Sequence, residues 1–327
     1  MTESPLISLA YPAWRQSAQL KVVHGKVSQL KNASLILVAC VRNEMARMPH
    51  FLDYYRKLGV EQFALIDNDS SDGLRDYMRK QPDCVVWHTK ASYKASNFGM
   101  HWCNHILNTY GVGKWCLTCD PDELLVYPFV ESRNLPELCA YMDDSNQPSL
   151  FTVMIDAYSD LPIRETTLEP GADPFELCPY FDRFNLSQKL VPEQDNFWIQ
   201  GGCRMRQLFR DRPYSAPALN KVPLIKWRKG LYYVSSMHHA SDKSVNCPVY
   251  GNPAAVSGVL FHFKYVSLLQ QKAAEEKHRK QHYSDSVEYN RYADAGDTCF
   301  YSPDISIRYN GPQTLISNGF MQQGGWY

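Results

Sequence analysis

Apolar and polar positions fall in blocks along this chain. Residues 34–41 (Ser-Leu-Ile-Leu-Val-Ala-Cys-Val) form an unbroken apolar run that stops at Arg42-Asn43-Glu44. A run of that length suits a strand buried on both faces, as in a parallel sheet. Behind Pro49, apolar side chains recur at 51, 52, 55 and 58. That spacing predicts a helix with proline in its first turn, and Gly59 stands where a C-cap glycine belongs. A second strand is predicted at 62–66. It ends in Asp67-Asn68-Asp69-Ser70-Ser71-Asp72-Gly73 and leads to a short helix at 74–79, with Ser70 or Ser71 as its N-cap. A third strand at 84–88, a helix at 98–110 and a fourth strand at 115–119 continue the alternation. Such units, with right-handed crossovers, build a doubly wound α/β half. Its loops at 42–44, 67–73, 90–97 and 120–123 should meet at one sheet edge, where ligands bind in open α/β sheets.

The second half is less regular. A strand at 150–155 leads into Asp156, and residues 160–200, rich in Pro, Asp and Glu, read as an irregular loop or lid. Gly201-Gly202 ahead of Arg204 and Arg206 suggests backbone pressed close to something anionic. Residues 221–227 and 231–237 look like a hairpin across Arg228-Lys229-Gly230, ending in His238-His239. In the strand-like stretch 259–265, His262 and Lys264 share one face. Residues 267–282 read as a basic, polar helix, either solvated or lying on anionic lipid. The ends are predicted to pack on the core: a lead-in at 1–33 with an aromatic patch at Tyr11, Pro12 and Trp14, and an aromatic, Gly-rich segment at 289–327.

Composition narrows the classes. With 327 residues and 44% apolar content the chain can bury a large core, as one large domain or two smaller ones. Lys plus Arg equals Asp plus Glu, 34 against 34, so no global field draws it to nucleic acid or an anionic membrane. Phosphate recognition must then be local. Ten scattered cysteines lack a zinc-ribbon spacing, and Cys116 and Cys119 fall on opposite faces of a strand. Reduced thiols in a cytosolic protein fit best. The N-terminus has no signal-peptide pattern and no window reaches a membrane span, so a cytoplasmic protein, at most peripheral at a membrane, is expected.

The candidate chemistry sits at 115–128. There a strand-like run ends in Asp120-Pro121-Asp122-Glu123. Two acids flanking a residue of fixed φ can converge on one hard cation, which takes oxygen ligands and bridges to phosphates.

Taken in order, Val41-Arg42-Asn43-Glu44, the stretch 66–73, the stretch 97–104 and Asp120-Pro121-Asp122-Glu123 resemble family-2-type glycosyltransferases with the GT-A fold. The resemblance covers residues 34–130, and the second half is similar to a bacterial subgroup. It implies an α/β, doubly wound, mostly parallel sheet with helices on both faces and C-terminal acceptor-side elements. The glycosyltransferase domain would be 34–265, with a nucleotide-binding half at 34–130 and an acceptor half at 131–265. A lead-in at 1–33 and a helical, aromatic extension at 266–327 would flank it.

The resemblance also implies roles. Arg42, Asn43, Glu44, Asp67 and Asn68 would hold the nucleoside of a nucleoside diphosphate sugar, with Lys94 near its pyrophosphate. Asp120 and Asp122 would hold Mn2+ or Mg2+, and a C-terminal histidine, His262 ahead of His238, would complete the shell. The reaction would be an inverting transfer to a glycan or glycolipid hydroxyl in bacterial surface polysaccharide or lipopolysaccharide synthesis, at or near the inner membrane. Asp156 is the first candidate base, with Asp182 and Glu193 in reserve. Two rival classes are a nucleotidyltransferase and a non-catalytic sugar-nucleotide-binding protein. The first usually opens with a Gly-rich phosphate loop, which residues 41–45 lack, and the second need not keep both Asp120 and Asp122.

Overall fold

In the computed structural model, which describes residues 5–279, 281 and 291–327, the N-terminal segment belongs to the main sheet. Helix α1 (Pro5–Ser17) precedes β1 (Lys21–His24), an edge strand antiparallel to its neighbour, and α2 (Val27–Asn32) follows. Tyr11 and Trp14, expected to pack, are both exposed.

The apolar run becomes β2 (Leu35–Val41), and its alternation divides the core. Leu35, Leu37, Ala39 and Val41 join Phe51, Tyr55 and Leu138 on one side of the sheet. Ile36 and Val38 join Trp102, Ile106 and Trp227 on the other. Helix α3 (Met48–Lys57) closes at Gly59, whose φ of +92° lies in the left-handed region. A Cβ there would come within 2.8 Å of Pro136, so both backbone and space call for glycine. The alternation continues through β3 (Gln62–Asp67), α4 (Leu74–Met78), β4 (Cys84–His88), α5 (Met100–Ile106) and β5 (Trp115–Thr118). Strands β4, β3, β2 and β5 lie side by side and parallel, as the sequence predicts for the first half.

The second half is mixed. It runs through β6 (Glu123–Val126), α6 (Leu135–Asp144), β7 (Ser149–Asp156), α7 (Pro174–Leu177), β8 (Tyr180–Asp182), β9 (Ser187–Val191), β10 (Asn196–Gln200), β11 (Asn220–Lys226) and β12 (Gly258–His262). The nine-stranded sheet has the order β1-β4-β3-β2-β5-β11-β7-β12-β6. Strands β2, β3, β4, β5, β7 and β12 run one way and β1, β6 and β11 the other. The architecture is thus α/β with a large, mostly parallel central sheet. The expected hairpin at 221–237 does not form. Strand β11 is inserted between β5 and β7, so both its edges are paired and residues 231–237 have no free edge to join.

The C-terminal segment closes the molecule. Helix α8 (Leu268–Arg279) crosses the carboxyl ends of the parallel strands, and the continuation expected as far as residue 282 lies outside the described residues apart from 281. Strand β13 (Ser306–Arg308) pairs with β8, and α9 (Pro312–Ser317) follows. Trp326 enters the first core layer, where its indole N–H donates to the Pro128 carbonyl at 3.0 Å. The described residues of the segment 266–327 are therefore woven into the fold. Among the described residues no helix is long and apolar enough to cross a membrane. All ten cysteines are free, and burial pushes the Cys116 and Cys119 thiols up, which leaves that pair inert.

Candidate functional site

Asp120 and Asp122 lie in the turn between β5 and β6, which are separated in the sheet by β11, β7 and β12. The turn must therefore cross the sheet edge, and several contacts pin it. The Glu123 N–H donates to the Asp120 carbonyl at 3.0 Å, and the Asp120 N–H donates to the Glu123 carboxylate at 3.2 Å. The Phe263 N–H donates to the Asp122 carbonyl at 2.7 Å, and Tyr55 bridges Glu123 and Leu125 through its hydroxyl. Beneath the turn, the buried Lys221 ammonium on β11 holds Glu123 at 2.8 Å and lies 3.9 Å from Asp120. The Asp120 side chain remains 44% accessible, yet the walls around it remove enough water, with Glu123 adding its charge, to push its pKa up.

Asp122 faces His262. Its Oδ2 lies 3.6 Å from His262 Nε2. Burial opposes the charge on Asp122, but His262, Arg47 and Lys264 outweigh it and hold the carboxyl below its ordinary range. On the other side of the imidazole, Nδ1 lies 2.7 Å from Asp156 Oδ1. That contact follows from the parallel register of β7 and β12, which sets Asp156 beside His262 at the carboxyl ends of both strands. Arg204 then grips Asp156 with two hydrogen bonds, Nε to Oδ2 and Nη2 to Oδ1, each 2.5 Å.

This arrangement overturns the reading of Asp156 as the base. Its side chain is 1% accessible, and although burial favours the neutral form, Arg204 and then His262 hold its carboxyl far below the usual carboxylate range. A base needs an open site and a pKa near the working pH. Asp182 is no better placed. It is buried under two 2.8 Å hydrogen bonds from Arg206 and one of 2.7 Å from Tyr158. Glu193 is exposed at the turn between β9 and β10 and does not line the cleft.

His238 is likewise removed from the metal question. It does not line the cleft, its Nδ1 lies 2.8 Å from the Asn220 carbonyl, and burial, then the Lys221 charge, lowers its pKa to about 3.

The nucleotide-side residues divide in two. Arg42, Glu44 and Asn68 line a cleft that also contains Asp120, Asp122, His262 and Lys264. Asp67 stands behind it, with no exposed surface. Its Oδ1 accepts from the Ser70 N–H at 3.0 Å and its Oδ2 from Arg75 at 2.6 Å, so it supports the loop that presents Asn68. Asn43, at φ +50°, accepts from the Ser71 N–H at 2.8 Å and joins the two loops. Lys94 is exposed and does not line the cleft, which separates it from the place the resemblance implies.

Sequence reasoning missed the part played by α8. Arg42 Nε donates to Glu275 at 2.8 Å and Asn43 Nδ2 to the same carboxylate at 3.0 Å. Lys272 pairs with Glu44, and Arg279 reaches Asn68 at 3.5 Å. Lys272 and Arg279, two of the basic residues that suggested a lipid surface, thus face the cleft. Their alternation with Glu275 was the available signal, but nothing local says which loops a terminal helix will cover.

Asp122 and His262 are also the residues that fit a divalent cation. Cis ligands of an octahedral ion at about 2.1 Å lie roughly 3.0 Å apart and trans ligands about 4.2 Å, so a 3.6 Å separation suits two ligands of one ion. Among the described residues no three His, Cys, Asp or Glu side chains gather closely enough to hold an ion alone. The remaining ligands would have to be phosphate oxygens, water, or Asp120 after a side-chain rotation.

No protein-family model matches the chain, and neither does any curated protein. Among solved structures, a UDP-glucose pyrophosphorylase from Acinetobacter baumanii is similar at 10% identity over 78% of this chain and 98% of that one, with a TM-score of 0.31. A UDP-glucose pyrophosphorylase complexed with UDP-glucose gives 10%, 59%, 76% and 0.29. A 4-diphosphocytidyl-2C-methyl-D-erythritol synthase from Anaerococcus prevotii gives 11%, 80%, 98% and 0.27. All three TM-scores fall below 0.5, so the likeness assigns this chain neither a family nor a reaction.

Proposed function

We propose that this chain is a metal-dependent glycosyltransferase of the GT-A type, moving a sugar from a nucleoside diphosphate sugar to a hydroxyl of a glycan or glycolipid in bacterial surface polysaccharide synthesis. One observation carries the reading. With Nδ1 of His262 facing Asp156, Nε2 is the ring nitrogen turned toward Asp122 Oδ2, 3.6 Å away, in the cleft that both residues line. A carboxylate oxygen and an imidazole nitrogen facing each other at that distance can both ligate one divalent cation placed between them. Mn2+ or Mg2+ held there would supply Lewis-acid stabilisation of the charge developing on the departing diphosphate.

The chain's own residues do the rest. Arg42 and Asn68 at the ends of β2 and β3 form the wall that receives the nucleoside. Arg47 and Lys264 direct positive charge into the same cleft, where charge develops in the transition state. Helix α8 supplies Lys272, Glu275 and Arg279 to one wall of the cleft. A nucleotidyltransferase reading is less well supported because the loop after β2 has few amides to offer a triphosphate. The Asn43 N–H donates to Ser70 Oγ, the Met45 N–H to Asp72 and the Met48 N–H to the Glu44 carbonyl.

The test is a panel of nucleoside diphosphate sugars incubated with Mn2+ and assayed for released nucleoside diphosphate. Release that stops on chelation is the expected result. Pyrophosphate formed from a nucleoside triphosphate and a sugar 1-phosphate, with no diphosphate released from any sugar nucleotide, would make the protein a nucleotidyltransferase instead.

A further inference from the structure

We infer that Arg204 and Asp156, neither of which lines the cleft, are positioning residues that fix the tautomer and aim of His262, an inference that rests on the cation-dependent reading above. The three side chains form a buried chain behind the site. Arg204 is 2% accessible, Asp156 1% and His262 9%, so water does not substitute for any of their hydrogen bonds. Asp156 Oδ1 lies 2.7 Å from His262 Nδ1 and accepts from Arg204 Nη2, which itself stands 3.0 Å from Nδ1. Arginine has no acceptor to offer. Asp156 is therefore what makes Nδ1 a donor and leaves Nε2 as the ligating atom, the usual work of a carboxylate behind a metal-bound imidazole.

Arg204 is delivered by a built piece of backbone. Gly201 has φ +151° and Gly202 φ +66°, and a Cβ on Gly201 would lie 2.7 Å from the Asn185 carbonyl. The pair of glycines turns the chain inward at the end of β10, so that Arg204 reaches Asp156 while Arg206 reaches Asp182 beside β8. The anionic groups for which the Gly-Gly-x-Arg-x-Arg pattern is shaped are thus two buried aspartates of this chain.

The experiment is nitrogen NMR of 15N-histidine-labelled full-length protein, with the His262 signals assigned by His262→Gln, followed by titration with Mn2+ alone. In the wild type His262 should carry its proton on Nδ1, and Mn2+ should broaden its signals selectively. In Asp156→Ala the nearest group to Nδ1 becomes Arg204 Nη2, a donor, so the proton should move to Nε2. The Mn2+ concentration needed for half broadening should then rise ten- to a hundredfold. Because that variant removes the carboxylate paired with the buried Arg204, Asp156→Ala/Arg204→Met removes both charges and serves where the single variant does not fold. It should lose the Nδ1–H preference and show the same weakened response. Wild-type broadening by Mn2+ with an unchanged tautomer and titration in the variants overturns the positioning role and leaves the cation reading standing. A wild type whose His262 signals ignore Mn2+ overturns the cation reading, and the inference with it.

Discussion

Two sets of strand ends meet at the cleft, and they handle polar residues differently. At the ends of β2 and β3 the polar side chains largely satisfy one another: Asp67 with Arg75 and Ser70, Asn43 with Ser71, Asp72 with the Met45 amide. At the ends of β7 and β12 the chain Arg204–Asp156–His262 satisfies every group but the last, and that group faces Asp122. A buried polar network that closes on itself builds a loop. One that ends on a ring nitrogen facing a carboxylate builds a site. Substitutions at the second set of strand ends should therefore strike chemistry, and at the first set stability.

The largest effect is expected for Asp122→Asn. It keeps the shape but loses the charge opposite His262, so transfer should fall at least about a hundredfold while the unfolding midpoint stays near that of the wild type. Steady-state rates at saturating Mn2+ check this, and near-normal turnover would mean that Asp122 is only a turn residue. Next comes the pair of histidines. His262→Ala should raise the Mn2+ needed for half-maximal activity about ten- to a hundredfold. His238→Ala should leave that requirement alone and lower stability, because it opens a cavity beside Asn220. A Mn2+ titration of both variants decides, and a metal defect confined to His238→Ala would reverse the assignment.

How far the sequence foretold this differs by range. The parallel half was legible because each of its elements is local: the run at 34–41, the helix ending at Gly59 and the acid turn after β5 announce themselves within a few residues. His262 and Asp122 were legible as residue types at strand ends. What joins them was not. The contact of Arg204 with Asp156 spans 48 residues, and β11 lies inserted between β5 and β7, neither of which any local pattern encodes. The same insertion removed the expected hairpin. Asp156 looked like a base because it ends a strand at the cleft edge, and only the tertiary fold reveals that an arginine already holds it.

Two smaller effects sharpen the contrast. Asp67→Ala should cost about 1–3 kcal/mol in chemical unfolding, since the Ser70 amide loses its acceptor and Arg75 its buried carboxylate, keeping Asp69 and the Ser70 carbonyl. It should raise donor KM through Asn68 with kcat nearly unchanged, and a collapse of kcat alone would put Asp67 in direct contact with the reaction. The smallest effect serves as a control away from the cleft. Arg56 on α3 holds Asp83 with hydrogen bonds of 2.7 and 2.8 Å, and although burial opposes the charge, Arg56 keeps the Asp83 pKa below its ordinary value. A depressed carboxyl contributes stability that is present above the unfolded value of about 3.9 and is lost as pH falls through the folded one. Arg56→Met should flatten that acid limb by up to about 1 kcal/mol. An unaltered profile of stability between pH 5 and 2 would show that the pair contributes nothing.

The most direct test of the central claim is anomalous diffraction from crystals soaked with Mn2+ and a nucleoside diphosphate. A Mn2+ peak within bonding distance of both Asp122 Oδ2 and His262 Nε2, with diphosphate oxygens completing its shell, is the predicted result. A well-ordered diphosphate in the cleft with no Mn2+ between those two atoms would contradict it.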